Sequence, residues 1–336
     1  MDALSRIKQL GMPRRNDELW TFFPVSKIPN VLSPDSDCHV ADAPRNDNQE
    51  SLDFAEENDF AALLPIACNA RTLERTIADN ESEMALLKCN NDFGRTVLNI
   101  GKNAKASFEI LDNKVLHSVS AERFDIHVGE GADVEIFFAN PANDLPLQFR
   151  HFSIEQAAGS SVRFSSIERG NGISRVSLDC HLRGAGAHFE IRTLNILAGT
   201  SESHHRLHIY HDSPETTSVQ FSRNLLDGNS RASYDGSVVV GDGCTKANSS
   251  QLVNTILLSE DSAVSVKPVL KIYHDDVECT HGNTVGELDA EQMFYLVSRG
   301  IPQEKAKMML ISSFARELFY PLPDSPAKKR LLQVLE

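Results

Sequence analysis

The most constraining feature of this sequence is a succession of short segments between residues 82 and 271 in which apolar and polar side chains alternate. Residues 107–111 and 133–138 are examples. Alternation with a period of two is typical of β-strands that bury one face. Glycine-containing turn signals separate the segments, as at residues 129–131 and 184–186. The sequence therefore predicts a mainly β body built from many short strands.

A weak repeat runs through this body. Units that begin at Gly129, Gly159 and Gly184 each place small residues directly before a strand of similar composition. Stacked rungs of a solenoid produce a repeat of this kind. The alternation by itself fits a β-sandwich or barrel equally well, because both use strands with one buried face. The pattern alone leaves these architectures open.

The residue pattern changes twice along the chain and divides it into three regions. Residues 1–81 are expected to form an N-terminal helical arm with a polar linker, residues 82–283 the β core, and residues 284–336 a C-terminal helical domain. Within the arm the pattern predicts a helix at 2–10, a linker rich in Asp, Asn, Pro and Ser at 29–57, and a short helix at 60–79. The single tryptophan, Trp20, is expected to pack the arm onto the body.

The C-terminal region carries clear helix signals. Asp289 with Gln292 three residues later fits a capping box, and Gly300 fits the residue after a helix. A second helix is predicted from Pro302, and its expected buried side comprises Ala306, Met309, Leu310, Phe314 and Leu318. Gly282 and Gly286 are expected to let the chain bend out of the sheet before these helices. A solenoid end needs covering against unwanted strand pairing, so we expect the helices to cap it and to face a partner.

Composition excludes several classes of protein. A net charge of −14 argues against general nucleic-acid binding, which uses clustered Lys and Arg. No apolar run approaches the ~20 residues that span a bilayer, and the start lacks the pattern of a secretory signal. The six cysteines are scattered without CxxC spacing, which favours reduced thiols in a reducing compartment. We expect a cytoplasmic protein that binds neither membrane nor nucleic acid.

Cys279 and His281 are the candidate metal ligands. They lie two residues apart, so on a strand both side chains leave from the same face. A thiolate and a neutral imidazole both bind iron well. The alternative is that Cys279 packs inward as a small apolar residue while His281 caps a turn.

A run of histidines, His204, His205, His208 and His211, is a second candidate. No nearby carboxylate pattern is evident in the sequence to orient their rings, as metal ligands usually require. We expect solvated or strand-packing histidines there.

Catalytic motifs are absent from the sequence. It contains neither a GxSxG elbow nor a GxxxxGK[ST] phosphate loop, so we expect a non-enzymatic protein that does not itself hydrolyse ATP. One alternative is a β-helix enzyme acting on carbohydrate, which would use paired carboxylates and aromatic platforms. Aromatic residues make up only 7% of the chain, and no such pair stands out. Another alternative is a purely structural interaction protein without a metal role.

The string from Cys279 to Asp289, followed by residues 293–296 and 298–301, resembles the C-terminal signature of the SufB/SufD family. Members of this family are subunits of the SUF machine, which assembles iron–sulfur clusters. The resemblance extends upstream through residues 211–218 and 257–259 to 268–272. It implies a right-handed parallel β-helix with small N- and C-terminal helical regions.

The resemblance also implies partners and a cargo. A SufB-like sister subunit is expected to pair with the chain, a SufC-like ATPase to bind its C-terminal region, and a homodimer to form when the chain is alone. A transient iron–sulfur cluster is placed at the interface with SufB, with His281 contributed by the SufD side, and no cofactor is expected in the isolated chain. The expected partner-binding residues are Phe294, Tyr295, Arg299, Met309 and Phe314.

Three features favour SufD over SufB within this family. SufB chains are longer, and they carry His-Glu where this sequence has His281 and Gly282. SufB chains also carry a cysteine in the strand region before the signature, where residues 251–254 here read Gln-Leu-Val-Asn. The resemblance is therefore strongest to SufD.

Overall fold

The structure is a computed structural model that describes residues 2–14, 17–20, 22–28, 57–68, 72–89, 93–112, 119–140, 147–170 and 172–335. The predicted polar linker lies outside these residues up to position 56. In the described part of the chain, no helix is both long enough and apolar enough to cross a membrane.

The body consists of parallel strands in two sheets. In chain order the described strands are β1 (Thr72–Ile77), β2 (Ser82–Cys89), β3 (Phe93–Ile100), β4 (Lys105–Asp112), β5 (Val119–Val128), β6 (Asp133–Asn140), β7 (Leu147–Gln156), β8 (Ser161–Gly170), β9 (Ile173–Leu182), β10 (His188–Leu197), β11 (Glu202–His211), β12 (Thr217–Leu226), β13 (Arg231–Val240), β14 (Ala247–Leu257), β15 (Ala263–Ile272) and β16 (Val277–Gly286). Odd-numbered strands form sheet A and even-numbered strands form sheet B.

Each strand pairs in parallel with the strand two positions away in the chain. His188 of β10, for example, lies between Ser161 of β8 and Thr217 of β12. One odd strand and the following even strand therefore make one rung, and successive rungs stack. This arrangement confirms the predicted mainly β fold and decides between the architectures in favour of the parallel β-helix.

The turns from odd to even strands stack in the same way. One position in these turns has a positive φ, and its occupants are Asn80, Asn103, Gly131, Gly159, Gly186, Glu215 and Lys246. Their backbone N–H groups donate to the turn of the next rung, as from Asn103 to the Glu130 carbonyl at 2.8 Å and from Glu215 to the Thr245 carbonyl at 2.8 Å. Backbone hydrogen bonds thus continue through the turns and hold the rungs in register.

The N-terminal arm covers the outer face of sheet A. Helices α1 (Ala3–Leu10) and α2 (Phe60–Ala67) form an apolar cluster with the first residues of β5, β7 and β9. Trp20 is buried in this cluster, 5.8 Å from Phe149 between ring centroids, with the Arg175 guanidinium 4.1 Å from its ring centroid. The predicted helix at 2–10 and the packing role of Trp20 are both confirmed.

The predicted helix at 60–79 is wrong beyond Ala67, because the chain turns into β1 at Thr72. The alternating segment Thr72–Ile77 pairs with β3 and buries Ile77 between the sheets. The strands thus run from Thr72 to Gly286, and domain limits at 81 and 283 stay a proposal.

The C-terminal region forms α3 (Ala290–Ser298), α4 (Gln303–Glu317) and α5 (Pro326–Val334). The Asp289 side chain caps α3 by accepting from the backbone N–H groups of Glu291 and Gln292, as predicted. The predicted end cap, however, is wrong. The end of α4 and α5 pack on the outer face of sheet B, which carries an apolar stripe of Phe137, Ile167, Leu194 and Leu225. Covering that stripe removes its apolar side chains from water, which stabilises this position of the helices.

The last rung, β15 and β16, is consequently open. In the described part of the chain β15 pairs only with β13 and β16 only with β14, so each presents one unpaired edge. Gly282 lies within β16 and does not bend the chain out of the sheet, because its backbone stays in register with Leu252. The strand ends at Gly286.

Candidate metal site on the last rung

Strand β16 places both predicted ligands over the interior of the solenoid. Cys279 lies in register with Ser249, and His281 lies in register with Gln251. Ser249 and Gln251 are buried inward residues of β14. Cys279 and His281 therefore extend two columns of interior side chains to the open end, where Cys279 is half-buried and His281 is exposed.

The column beneath Cys279 is a chain of hydrogen bonds. The Ser249 hydroxyl lies 2.8 Å from the Ser218 hydroxyl, which lies 2.9 Å from Nε2 of His211. The other ring nitrogen of His211 lies 2.8 Å from the Thr216 hydroxyl. Burial lowers the pKa of His211 to about 4, so this ring is neutral at pH 7. Cys279 thus ends a neutral, hydrogen-bonded column.

Cys279 itself is a thiol at neutral pH in the isolated chain. Burial raises its pKa above the ordinary value, and the backbone N–H of Ser249 opposes this only in part. It also packs against the apolar cluster of Val238, Val240, Cys244 and Ala247. Metal binding at Cys279 would release the thiol proton, because the thiolate is the ligand.

The column beneath His281 is incompletely hydrogen-bonded. Tyr234 donates its hydroxyl hydrogen to Oε1 of Gln220 at 2.8 Å. Gln220 lies in register with Gln251, and Gln251 in register with His281. Nε2 of Gln220 and both polar atoms of the Gln251 amide are buried without a hydrogen-bond partner. The two columns therefore differ in that only the one beneath His281 has polar groups left unpaired.

These two ligands are a partial set. Among the described residues, no group of three or more His, Cys, Asp or Glu side chains is placed to hold a metal ion. An iron–sulfur cluster in a protein is commonly held by four ligands. The last rung of this chain presents two donors at an exposed edge.

The histidines of β11 are paired, and all are buried except His208, which is half-buried. His205 Nε2 lies 2.6 Å from Glu168 in the interior, and His204 Nε2 lies 3.2 Å from Glu202 on the outer face. His208 accepts from Arg206 at 3.0 Å. The expectation that no carboxylate orients these rings is wrong, because Glu202 and the distant Glu168 do so. Burial opposes the charge on Glu168, and His205 outweighs it, so the pKa of Glu168 falls to about 2. The expected strand-packing role describes all of these residues.

The expected partner-binding residues fall into two groups. Phe294 is 74% exposed and Tyr295 57% exposed on α3, with Arg299 stacked 5.2 Å from the Tyr295 ring centroid. Met309 on α4 is also exposed, although it was expected on the buried side of that helix. Phe314 instead points toward sheet B, where the Arg223 guanidinium lies 4.5 Å from its ring centroid.

Sequence analysis missed Gln251 and Gln220 as residues of the site. The strand alternation places Gln251 on the same face as Val253 and Thr255, so its inward direction was available from the pattern. Its position below His281 follows only from the pairing of β14 with β16.

Comparison with known proteins decides the family. A family model described as "SUF system FeS cluster assembly, SufBD core domain" matches residues 80–314. The chain belongs to this family. The match covers most of the strands, the last rung, α3 and most of α4.

Individual members of the SufBD family give the same result. The chain is 31% identical to iron–sulfur cluster assembly protein SufD of Escherichia coli over 223 residues, which is 66% of this chain and 52% of that protein. It is 29% identical to SufD of Bacillus subtilis over 156 residues, 46% of this chain and 36% of that protein. It is 30% identical to the chloroplastic protein ABCI7 of Arabidopsis thaliana over 172 residues, 51% of this chain and 36% of that protein. The chain thus spans about half or less of these relatives, and within the family it is most like SufD.

Proposed function

We propose that this chain is a SufD-like scaffold subunit of an iron–sulfur cluster assembly complex. It pairs with a SufB-like sister through its last rung, docks a SufC-like ATPase through its C-terminal helices, and carries out no catalysis itself. The observation that carries the proposal is the open last rung, which presents His281 and Cys279 at an unpaired strand edge. Membership of the SufBD family supplies the cargo.

Pairing through the last rung uses both backbone and side chains. The free edges of β15 and β16 offer unpaired N–H and C=O groups, which an added strand from a partner would satisfy. Ile272, Tyr273 and Val285 are exposed large apolar side chains at the same end. A sister subunit that ends in a similar rung fits this surface. A second copy of this chain fits the same surface when the sister is absent.

A cluster formed at such an interface would be held only for a time. His281 and Cys279 supply two donors, and the sister subunit would supply the rest. Separation of the subunits would then break the ligand set and release the cluster. The described cysteine side chains are free thiols, which suits a reducing compartment, and we place the complex in the cytoplasm.

The C-terminal helices form the second surface. Phe294, Tyr295, Met308 and Met309 are exposed on α3 and α4, and aromatic and methionine side chains are enriched at protein interfaces. The sequence has no phosphate-binding loop, so ATP hydrolysis would come from the docked partner. ATP-driven movement of two such partners would shift the paired subunits, provided that contacts differ between the two states. Phe314 would act there only indirectly, since it faces sheet B.

The test is anaerobic co-purification with SufB-like and SufC-like partners, with iron and sulfide measured per complex. His281→Ala is expected to leave folding and complex formation intact and to lower the cluster yield several-fold. His127→Ala is the matched control, because His127 is an exposed histidine on β5, far from the last rung in the chain. Phe294→Ser is expected to release the ATPase and to retain the sister subunit. An unchanged yield in His281→Ala would show that this residue is not a ligand.

A further inference from the structure

Gln251 is an unusual residue for the interior of this solenoid. It is 2% exposed, and neither the oxygen nor the nitrogen of its side-chain amide has a hydrogen-bond partner. Such an unpaired group is destabilising, because the hydrogen bonds that it makes with water in the unfolded chain are lost and not replaced. A buried amide in this state calls for a bonding partner that becomes available in solution or in a complex.

The next side chain in its column is His281. The two residues are register partners in parallel strands, so their backbones are about 4.8 Å apart. None of the hydrogen bonds among the described residues involves the His281 ring, and this ring is exposed. Both side chains leave the same face of the sheet, so rotation of the His281 side chain turns its ring toward the Gln251 amide.

The residues below offer an acceptor to the nitrogen of the Gln251 amide. Tyr234 is fully buried, and burial raises the pKa of its hydroxyl far above the ordinary value, so it remains a donor. Its hydroxyl occupies one lone pair of Gln220 Oε1 at 2.8 Å. The second lone pair is available to Nε2 of Gln251. In that orientation Oε1 of Gln251 points along the column toward His281.

We propose that Gln251 is a positioning residue for His281. Its Oε1 accepts the N–H of one imidazole nitrogen, which fixes the tautomer and leaves the lone pair of the other nitrogen directed out of the rung. Metal-bound histidines normally have their second nitrogen held in this way by a carboxylate, carbonyl or water, and this fixes which nitrogen binds. The inference rests on the proposed function, in which His281 is a ligand for the cluster.

The arrangement explains why the two columns differ. The Cys279 side chain has a single donor atom, its sulfur, and therefore has no tautomers to choose between. The column beneath it consists of hydroxyl groups and a neutral histidine that are hydrogen-bonded to one another. An imidazole has two distinct nitrogens, so a ligand role requires a group that chooses between them. Gln251 is the unpaired polar side chain placed beneath His281 to make that choice.

The tautomer of His281 can be measured directly. The full chain is labelled with ¹⁵N-histidine, and long-range ¹H–¹⁵N correlations are recorded above the titration range of the ring. His281→Ala assigns the signals. We expect wild-type His281 to show the two well-separated nitrogen shifts of a single tautomer. Gln251→Met is nearly isosteric, lacks the acceptor, and is expected to give the averaged shifts of a free imidazole.

Two further variants make the result specific. Gln251→Glu keeps an acceptor at the same place and is expected to retain the single-tautomer pattern. Thr255→Val is the matched control, because it removes a buried polar atom from the inward face of the same strand, in register with Val285 instead of His281. It is expected to leave the His281 shifts unchanged. An averaged tautomer in the wild type, or a single tautomer that persists in Gln251→Met, overturns the inference and points to water as the partner of the amide.

Measurements on the assembled complex separate this inference from the proposed function. Loss of a residue that orients a ligand typically lowers metal affinity roughly 10–100-fold. We therefore expect Gln251→Met to retain the partners and to lower the iron and sulfide that remain after a chelator challenge. If His281→Ala leaves cluster yield unchanged while the tautomer depends on Gln251, the ligand role fails and the positioning contact stands. If His281→Ala lowers the yield while Gln251→Met keeps its iron and sulfide through the chelator challenge, the ligand role stands and the positioning role fails.

Discussion

The interior of the solenoid can be divided into an apolar length, from β4 to β8, and a polar length, from β12 to β16. The two lengths differ in the side chains that point inward. Around β4 to β8 the inward positions carry phenylalanines from both sheets, namely Phe108, Phe124, Phe138, Phe152 and Phe164. From β12 to β16 the inward positions of sheet B are mostly polar, with Ser218, Gln220, Ser222 and Asn224, then Ser249, Gln251 and Thr255 beside the apolar Ala247 and Val253, and finally Cys279 and His281. The strand pairing is continuous through both lengths.

This difference shows that the parallel β-helix forms with either apolar or polar side chains in its interior. Parallel in-register pairing continues whether a rung buries aromatic rings or amides and hydroxyls. Apolar burial contributes about 25 cal/mol per Å², whereas an internal hydrogen bond contributes only about 0.5–1.5 kcal/mol net. The apolar length is thus the main source of stability, and the polar length contributes less per rung.

Most polar side chains in the polar length are hydrogen-bonded to one another. Asn195 donates to Asn224 at 2.8 Å, and Asn224 donates to Thr255 at 2.9 Å, which forms a ladder across three strands of sheet B. The exceptions are Gln220 and Gln251 in the column that ends at His281. Within this length of the interior, the unpaired groups therefore lie beneath a candidate ligand.

The largest expected effect comes from a substitution in the apolar length. Phe152 is fully buried, stacked on Phe124 at 4.7 Å and edge-on to Phe164 at 4.9 Å between ring centroids. Phe152→Ala removes these contacts and leaves a cavity, so it should lower the free energy of unfolding by about 3–5 kcal/mol. Urea denaturation of the full chain measures the change. Phe294→Ala is the control, because the same substitution at an exposed site should change stability by less than about 0.5 kcal/mol. A loss below about 1 kcal/mol in Phe152→Ala would remove the distinction between the two lengths.

A second effect, of roughly 3 kcal/mol, belongs to His211, whose ring lies at the base of the column beneath Cys279. Burial holds the pKa of His211 at about 4, below its ordinary value of 6.5. Between these values the unfolded chain binds a proton that the folded chain does not, so stability is full above pH 6.5 and falls as the pH drops toward 4. The wild type should lose this stability on acidification, and His211→Gln should not. Unfolding curves recorded across this pH range in both proteins measure the difference. Parallel pH profiles would mean that His211 is protonated in the folded chain.

The fold was partly predictable because alternation and turn residues are local signals. Pattern alone did not choose between a sandwich and a β-helix, since the choice depends on which strands pair. The repeat was weak for a physical reason. The position with positive φ recurs in successive turns, but Asn80, Asn103, Glu215 and Lys246 fill it as well as glycines. A search for glycine therefore finds only part of the repeat.

The candidate site was predictable only for residues that share one strand. The spacing of Cys279 and His281 placed them on one face without any knowledge of the fold. The pairing of His205 with Glu168 joins residues 37 positions apart on opposite sheets, and no local pattern indicates it. The end cap was mispredicted because the apolar stripe on the outer face of sheet B is assembled from several strands.

The smallest expected effect comes from comparing two buried glutamines, one that is hydrogen-bonded in the structure and one that is not. Gln156 and Gln251 are both inward, buried glutamines, but only the Gln156 amide is bonded, donating to the His188 carbonyl at 2.9 Å. Gln156→Met leaves that carbonyl with one partner fewer and should cost about 1–3 kcal/mol. Gln251→Met removes an amide whose proposed partner, the His281 ring, is exposed and can bond to water instead, so it should stay within about 1 kcal/mol of the wild type.

Urea denaturation of the two variants side by side measures this contrast, with the same substitution at each position. A neutral Gln251→Met that also loses the single tautomer of His281 would mean that Gln251 is retained for its contact with the ligand and contributes nothing to the stability of the solenoid. Equal losses in the two variants would instead mean that Gln251 is bonded to groups of the solenoid interior as firmly as Gln156 is. The polar length would then be as structural as the apolar one, and its difference in composition would carry no functional meaning.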